Sequence, residues 1–435
     1  MIEELRARFN AGFEAARYER LLLGLDARCG THVGFRVAET PVFLPLSMLE
    51  RMAEAGRELT ERLLGWPEYL AAAQRSIPVG YRVAGASAHP NFMTADFALV
   101  CAGDGSLEPK LVEMQAFPSV YAYQSVLAEE YRRVYSLPQE LGVYLGGLTE
   151  ETFWALLAQT VLGGYAPENV VLTEVDPERQ KTLPDFLLTA ERLGIGVVDI
   201  AAIEPAGRKL HYRNAAGNLV PIHRIYNRAI ADEMMAKRLR LQFDLEADWE
   251  VEWAGHPNWY FRVSKFAIPW LAGTVPGTAG SAYPVVPPAA FLNDFLAGSG
   301  YGAGYEALAA AGVRLPGREA RGGGTGAVYE DLLLKPLFSF AGKGIVFAPS
   351  HEELLSIPVE ERGGYLLQQR MHFEPTIATP HGLTQAEIRI LYLWPDGGRM
   401  KPAISLVRLG RGKMMGVDHN RNQEWVGGSA AFWSR

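Results

Sequence analysis

The chain has 435 residues, of which 48% are hydrophobic and 21% charged, and its 49 Asp and Glu outnumber 42 Lys and Arg for a formal charge of −7. That length calls for two or three packed units, and so few charges exclude a disordered, solvating chain. The acidic balance, with no dense Lys/Arg run, excludes nucleic acid or an anionic membrane surface as the main partner and leaves small molecules.

Residues 1 to 75 read as helices, because Ile2, Leu5, Phe9 and Phe13 recur at helical spacing and Glu50 to Leu64 repeats the habit. The opening alternates charged and apolar residues, unlike a signal peptide, and no apolar run is long enough to span a bilayer. Cys29 and Cys101 are too few for a disulfide framework or a thiolate zinc site, which suits a cytoplasmic protein. From Pro78 the texture changes to strands joined by hairpins: GYRV, FMTADFALVCA and PKLVEMQAF. Glu113 and Gln115 share a face of the last, and Asp96 lies on its expected partner. Three such oxygen donors suit Mg²⁺, with a solvated strand edge as the plainer alternative.

Residues 169 to 227 carry a βαβ pattern: NVVLTEV as strand, Leu183 to Leu193 as helix ending at Gly194, IGVVDI as strand. RKLHYRN and NLVPIHRIYN follow as two further strands about a turn at Ala216 to Asn218. A helical stretch is expected at Ala229 to Leu245, then mobile connections at Gly273 to Pro288 and Arg318 to Gly326. The remainder reads as antiparallel strands: DLLLKPLF, GIVFAP, GYLLQQRM, EIRILYLW and AISLVRLG.

Chemistry concentrates in this last part. Lys335 stands alone in an apolar strand, which is costly unless its ammonium meets an anion, and the turn Gly342, Lys343, Gly344 can bring backbone N–H groups to phosphate oxygens. A surface hairpin with Lys335 in water is the equal alternative. The turn is not a Walker loop, because Gly344 stands where that loop needs Ser or Thr. The strand end at Gln368 and Gln369, with Glu374, can offer hydrogen bonds to a base or ribose. Glu387 and Arg389 share a strand face, so Arg389 either neutralises phosphoryl charge or closes a cross-strand ion pair. Arg408, Arg411, Lys413, Asn420 and Asn422, ahead of Gly427, Gly428 and Ser429, fit a loop closing over an anion, or a solvated basic loop.

In this order the pieces resemble the ATP-grasp ligases, in particular the permuted branch with eukaryotic glutathione synthetase and glutathionylspermidine synthetase. The resemblance runs from Pro78 to Trp433. It implies an α/β (α+β) ATP-grasp fold: N-terminal helices and the metal-bearing strand pair in 1–150, a substrate-side α/β domain in 151–255, and the nucleotide-binding region in 256–435. It implies ATP phosphates on Lys265, Lys335 and Gly342 to Gly344, adenine on Gln368, Gln369, Arg370 and Met371, and magnesium on Asp96, Glu113 and Gln115. Arg389 or Arg408 would steady the transferring phosphate, and Gly427 and Gly428 would form a closing loop. The implied reaction joins a small-molecule carboxylate to an amine through an acyl phosphate, releasing ADP, and a nucleotide-binding protein without ligase activity is the alternative. Arg224, Asn227 and Arg228 are placed to bind the carboxylate, with an interface role for the arginine equally open. Three departures stand out: Gln115 replaces the family's Asn, LFSFAGKG lacks its acidic residue, and Thr94 replaces the Arg of glutathione-binding relatives, which argues against glutathione.

Overall fold

The computed structural model describes residues 1–275, 283–300, 302–315, 327–339, 342–413, 415, 420 and 422–435. The expected connection at 318–326 lies outside these residues, as does the stretch 276–282 of the one at 273–288. Among the described residues, no helix is long and apolar enough to cross a membrane.

Amphipathic helices Glu3–Ala11, Ala15–Cys29, Leu46–Leu64 and Pro67–Arg75 cover the expected N-terminal region. Between them lies a strand not anticipated from sequence, Val42–Pro45, whose PVFLP context reads as a loop. It pairs in parallel with Gly427–Ser434. A seven-stranded sheet among the described residues continues from there through Lys401–Gly410, Gly382–Leu393, Phe92–Cys101 and Leu107–Gln115, all antiparallel, with Ile377–Thr379 attached to the Gly382 strand. One face packs on helix Leu46–Leu64 through Met93, Ala95, Ile388, Ile390 and Tyr392 in a common core. Period-2 alternation turns Glu113, Gln115, Glu387, Arg389 and Arg408 toward a cleft.

The βαβ unit forms as read. Val170–Glu174 and Gly196–Asp199 are parallel, and the helix between them ends at Gly194 in the left-handed region that favours glycine. NLVPIHRIYN is not one strand. Leu219–Ile222 joins a three-stranded meander, whereas Arg224–Asn227 enters the parallel sheet between Glu252–Ala254 and Val170–Glu174. The helix expected over Ala229 to Leu245 is confined to Ala231–Ala236, and GYRV forms no strand: Gly80 ends a turn and Tyr81 to Val83 are irregular.

A last sheet of Ala289–Phe291, Tyr365–Gln369, Leu332–Pro336 and Val346–Phe347 is antiparallel. Leu332, Leu334 and Leu367 pack on helices through Phe295, Leu308 and Leu354. The alternate positions, Leu333, Lys335 and Phe347, therefore face the cleft opposite the large sheet.

Candidate functional site

The two sheets enclose a cleft of about 420 Å³, within the usual range of small-molecule sites. Its wall on the smaller sheet is graded. Leu333 and Phe347 are register partners and, with Ile345, Met371 and Phe373, make an apolar patch beside the linker that follows Gln369. Lys335 sits two residues beyond Leu333, about 7 Å along the strand. It is buried, donates to Gln368 Oε1 at 2.5 Å, and burial pushes its pKa down to about 8 against the opposing pull of Glu113, with Lys265 lowering it further. Lys265, in the turn between two short helices, donates to the Ser339 carbonyl at 2.6 Å and lies 3.4 Å from Glu113 Oε2.

The floor is a line of charges set by strand register. Glu113 stands opposite Asp96, Asp96 opposite Arg389, and Glu387 opposite Arg408. Asp96, 1% exposed, takes Arg389 on both oxygens at 2.5 and 2.6 Å and Arg408 at 3.1 Å. Burial alone would raise its pKa, but the two guanidinium groups outweigh it and hold the carboxyl below its ordinary range. Arg408 also pairs with Glu387, whose pKa burial pushes up despite that partner. Six cationic side chains line the cleft, Lys265, Lys335, Arg370, Arg389, Arg408 and Lys413, against the carboxylates Glu113 and Glu387. In a protein of net charge −7 this local excess selects an anionic ligand.

The structure thus brings together Lys265, Lys335, Gly342, Arg370, Met371, Glu113, Gln115, Arg389 and Arg408. Gly342 and Gly344 adopt left-handed φ of 72° and 78°, which makes glycine the natural choice there, while Lys343 and Gly344 are exposed at the turn. Gln368 serves Lys335 rather than a ligand, and Gln369 is held in the sheet with its N–H on the Pro288 carbonyl. Lys413 lines the cleft as the basic tail suggested, but 414, 416–419 and 421 lie outside the described residues. Glu387 is a cleft carboxylate as well as half of an ion pair, and its partner is Arg408.

Several expectations need correction. Arg224 does not reach the cleft: it pairs with Glu252 at 2.7 Å and Asp396 at 2.6 Å, donates to the Val161 and Thr160 carbonyls, and lies over Gly163, where a Cβ would strike its guanidinium. The interface alternative describes it. Arg228 is held between the rings of Phe117 and Phe186 and donates to the carbonyls of Pro118 and Ser119, so it shapes the loop after the Glu113 strand. Asn227 is buried with an unpaired Oδ1 and does not line the cleft. Gly427 and Gly428 form no closing loop. They lie in a strand opposite Leu409 and Arg408, and Gly427 meets the Arg36 backbone at a φ of 120°, where no side chain fits.

Magnesium asks for one or two free carboxylates beside the substrate phosphates. Asp96 has both oxygens on arginine, Glu387 is bound by Arg408, and Glu113 is approached by Lys265, by Arg389 at 3.7 Å and by the Gln115 amide at 3.1 Å. Among the described residues no three His, Cys, Asp or Glu gather into a cluster. In this arrangement the donor set expected for magnesium, Asp96, Glu113 and Gln115, does not fit the ion, because it offers no carboxylate free of a cationic partner.

No family model and no curated protein matches the sequence. Among solved structures, a glutathione synthetase-like effector from Globodera pallida, in apo form, aligns over 95% of this chain and 96% of its own at a TM-score of 0.51 and 10% identity. The fold is α+β, of the glutathione synthetase-like ATP-grasp type. A putative gamma-glutamylcysteine synthetase from Methylobacillus flagellatus KT aligns over 83% of this chain and 84% of its own at 15% identity, with a TM-score of only 0.34. At such identities the likeness speaks for the fold alone.

Proposed function

We propose that the cleft binds ATP and that the chain uses it to join a small-molecule carboxylate to an amine, releasing ADP and phosphate, as a ligase of the permuted ATP-grasp branch would. The observation that carries this reading is the apolar patch of Leu333 and Phe347 with the buried Lys335 two residues along the same strand face. A base on the patch leaves its phosphates beside Lys335 and Lys265. In such chemistry a carboxylate oxygen takes the γ-phosphoryl group and the amine then displaces phosphate from the acyl phosphate, which asks the protein for alignment and charge neutralisation. Lys265 and Lys335 grip the phosphates, Arg389 and Arg408 hold positive charge at the floor, and Arg370 with Met371 flanks the base. The apolar wall keeps water from the activated acyl group.

A second reading, nucleotide binding without ligation, is favoured by Ser339 in the turn where an acid is expected and by the engagement of Asp96 with arginine. The two separate in one experiment. ATP raises the melting temperature of a protein that binds it, and a ligase releases ADP only when carboxylate and amine acceptors, such as pooled amino acids and polyamines, are present. Both effects are expected for the wild type and neither for Lys335→Met. A thermal shift without acceptor-dependent ADP selects the second reading. No shift with ATP rejects both.

A further inference from the structure

The carboxylates of this cleft are occupied before any ligand arrives, and the occupants are side chains of the same protein. Asp96, the most buried of the three acids, is covered on both oxygens by Arg389, with Arg408 on Oδ2. Glu387 is closed by Arg408, and Glu113 lies between Lys265 and Arg389. These three acids already face four cations, Lys265, Lys335, Arg389 and Arg408, so the cluster carries one positive charge in excess before Arg370 and Lys413 are added.

A divalent cation entering such a cluster must strip guanidinium or ammonium groups from their partners and leave those cations unpaired in a site of low dielectric, which is the costly direction for buried charge. A polyanion does the reverse, since it meets the excess with its own charge and leaves every internal pair in place. Arg408 has capacity to spare for this: Nη1 serves both Asp96 and Glu387, and its Nε and Nη2 have no partner among the described residues.

Resting on the nucleotide reading above, we infer that the cleft takes the polyphosphate as a free anion, neutralised by Lys265, Lys335 and Arg408, and that the chain itself ligates no divalent cation. Glu113 then acts as a counter-ion that restrains Lys265 and Arg389, and not as a metal ligand.

The two roles of Glu113 give opposite signs on binding. Calorimetric titration of the full chain with ATP, and with inorganic triphosphate, in EDTA and again in excess Mg²⁺ tests them. The expected Kd in EDTA is equal to or lower than in Mg²⁺, because the unchelated polyphosphate carries two more negative charges toward the cations. Glu113→Gln is expected to tighten binding by about threefold or more in either buffer, since it removes a negative charge beside the ligand. Binding that needs Mg²⁺, or a Glu113→Gln protein that loses about tenfold or more in Mg²⁺ while wild type binds, overturns this inference and restores the metal site. The wild-type comparison stands even should the variant fold poorly. Absence of binding in both buffers overturns the nucleotide reading along with it.

Discussion

Asp96→Asn removes one negative charge from a fully buried position between two guanidinium groups. Deleting one partner of a buried pair costs about 3 to 5 kcal/mol, much of it from the charge left behind. Here Arg389 retains Glu113 at 3.7 Å, Arg408 retains Glu387, and the amide keeps one acceptor oxygen, so the lower end applies. Unfolding of 435 residues as one unit carries an entropy of roughly 0.9 kcal/mol/K at about 2.1 cal/mol/K per residue, so a loss of about 3 kcal/mol lowers Tm by about 3 °C. Differential scanning calorimetry at pH 7 reads this directly. The deficit should persist in high salt, because buried pairs are poorly screened. Its pH dependence also has a fixed sign. A carboxyl held below its ordinary 3.8 contributes stability that is full above that value and is lost as pH falls through the folded pKa. The difference between wild type and variant should therefore be level from pH 7 to about 5 and shrink below about 4. A variant that melts within about 1 °C of wild type, or a deficit abolished by salt, refutes the buried ion-pair floor.

Lys335 and Glu174 both tie measurable outcomes to a proton. Lys335, with a folded pKa of about 8, must hold its proton to grip phosphate, so ATP affinity should fall as pH rises through 8, and binding at about pH 8.5 should take up a proton. Titrations in buffers of different ionisation heat detect that uptake, and Lys335→Met should show none. Without ligand the same lysine binds fewer protons folded than unfolded between about 8 and 10.5, so its contribution to stability rises with pH over that window. Glu174 behaves oppositely: burial pushes its pKa to about 8, against the pull of Arg228, so the folded state holds the proton longer and stability falls as pH rises from 4.5 to 8. Melting curves of Glu174→Gln should lack that fall, gaining at least about 1 kcal/mol on wild type at pH 8 and little at pH 4.5. Parallel pH profiles for the two proteins would count against a buried carboxyl here.

What could be read from sequence was local. The βαβ unit declares itself because helix, glycine cap and flanking strands are contiguous, and Lys335 declares itself because one charge interrupts a period-2 apolar run. Asp96 was visible as an acid but not as the partner of Arg389, 293 residues away, since only the register of two strands makes them neighbours. Arg224 and Arg228 failed for the same reason: the chemistry of an arginine permits carboxylate binding, but Glu252, Asp396, Phe117 and Phe186, brought from elsewhere, engage it first. Gly427 and Gly428 misled because glycine serves equally where backbone must bend and where another backbone must come close.

The placing of Val42–Pro45 beside Gly427–Ser434 bears on how the molecule comes into being. On a ribosome, the hairpin carrying Asp96 and Glu113 emerges nearly three hundred residues before the strands that bring Arg389 and Arg408. Until then its carboxylates have no guanidinium to meet and are better left in water, so the hairpin has an electrostatic reason to delay burial as well as a topological one. Late synthesis of the cationic strands thus sets the moment at which the large sheet can close, and a nascent chain stalled before residue 389 should present these acids to solvent.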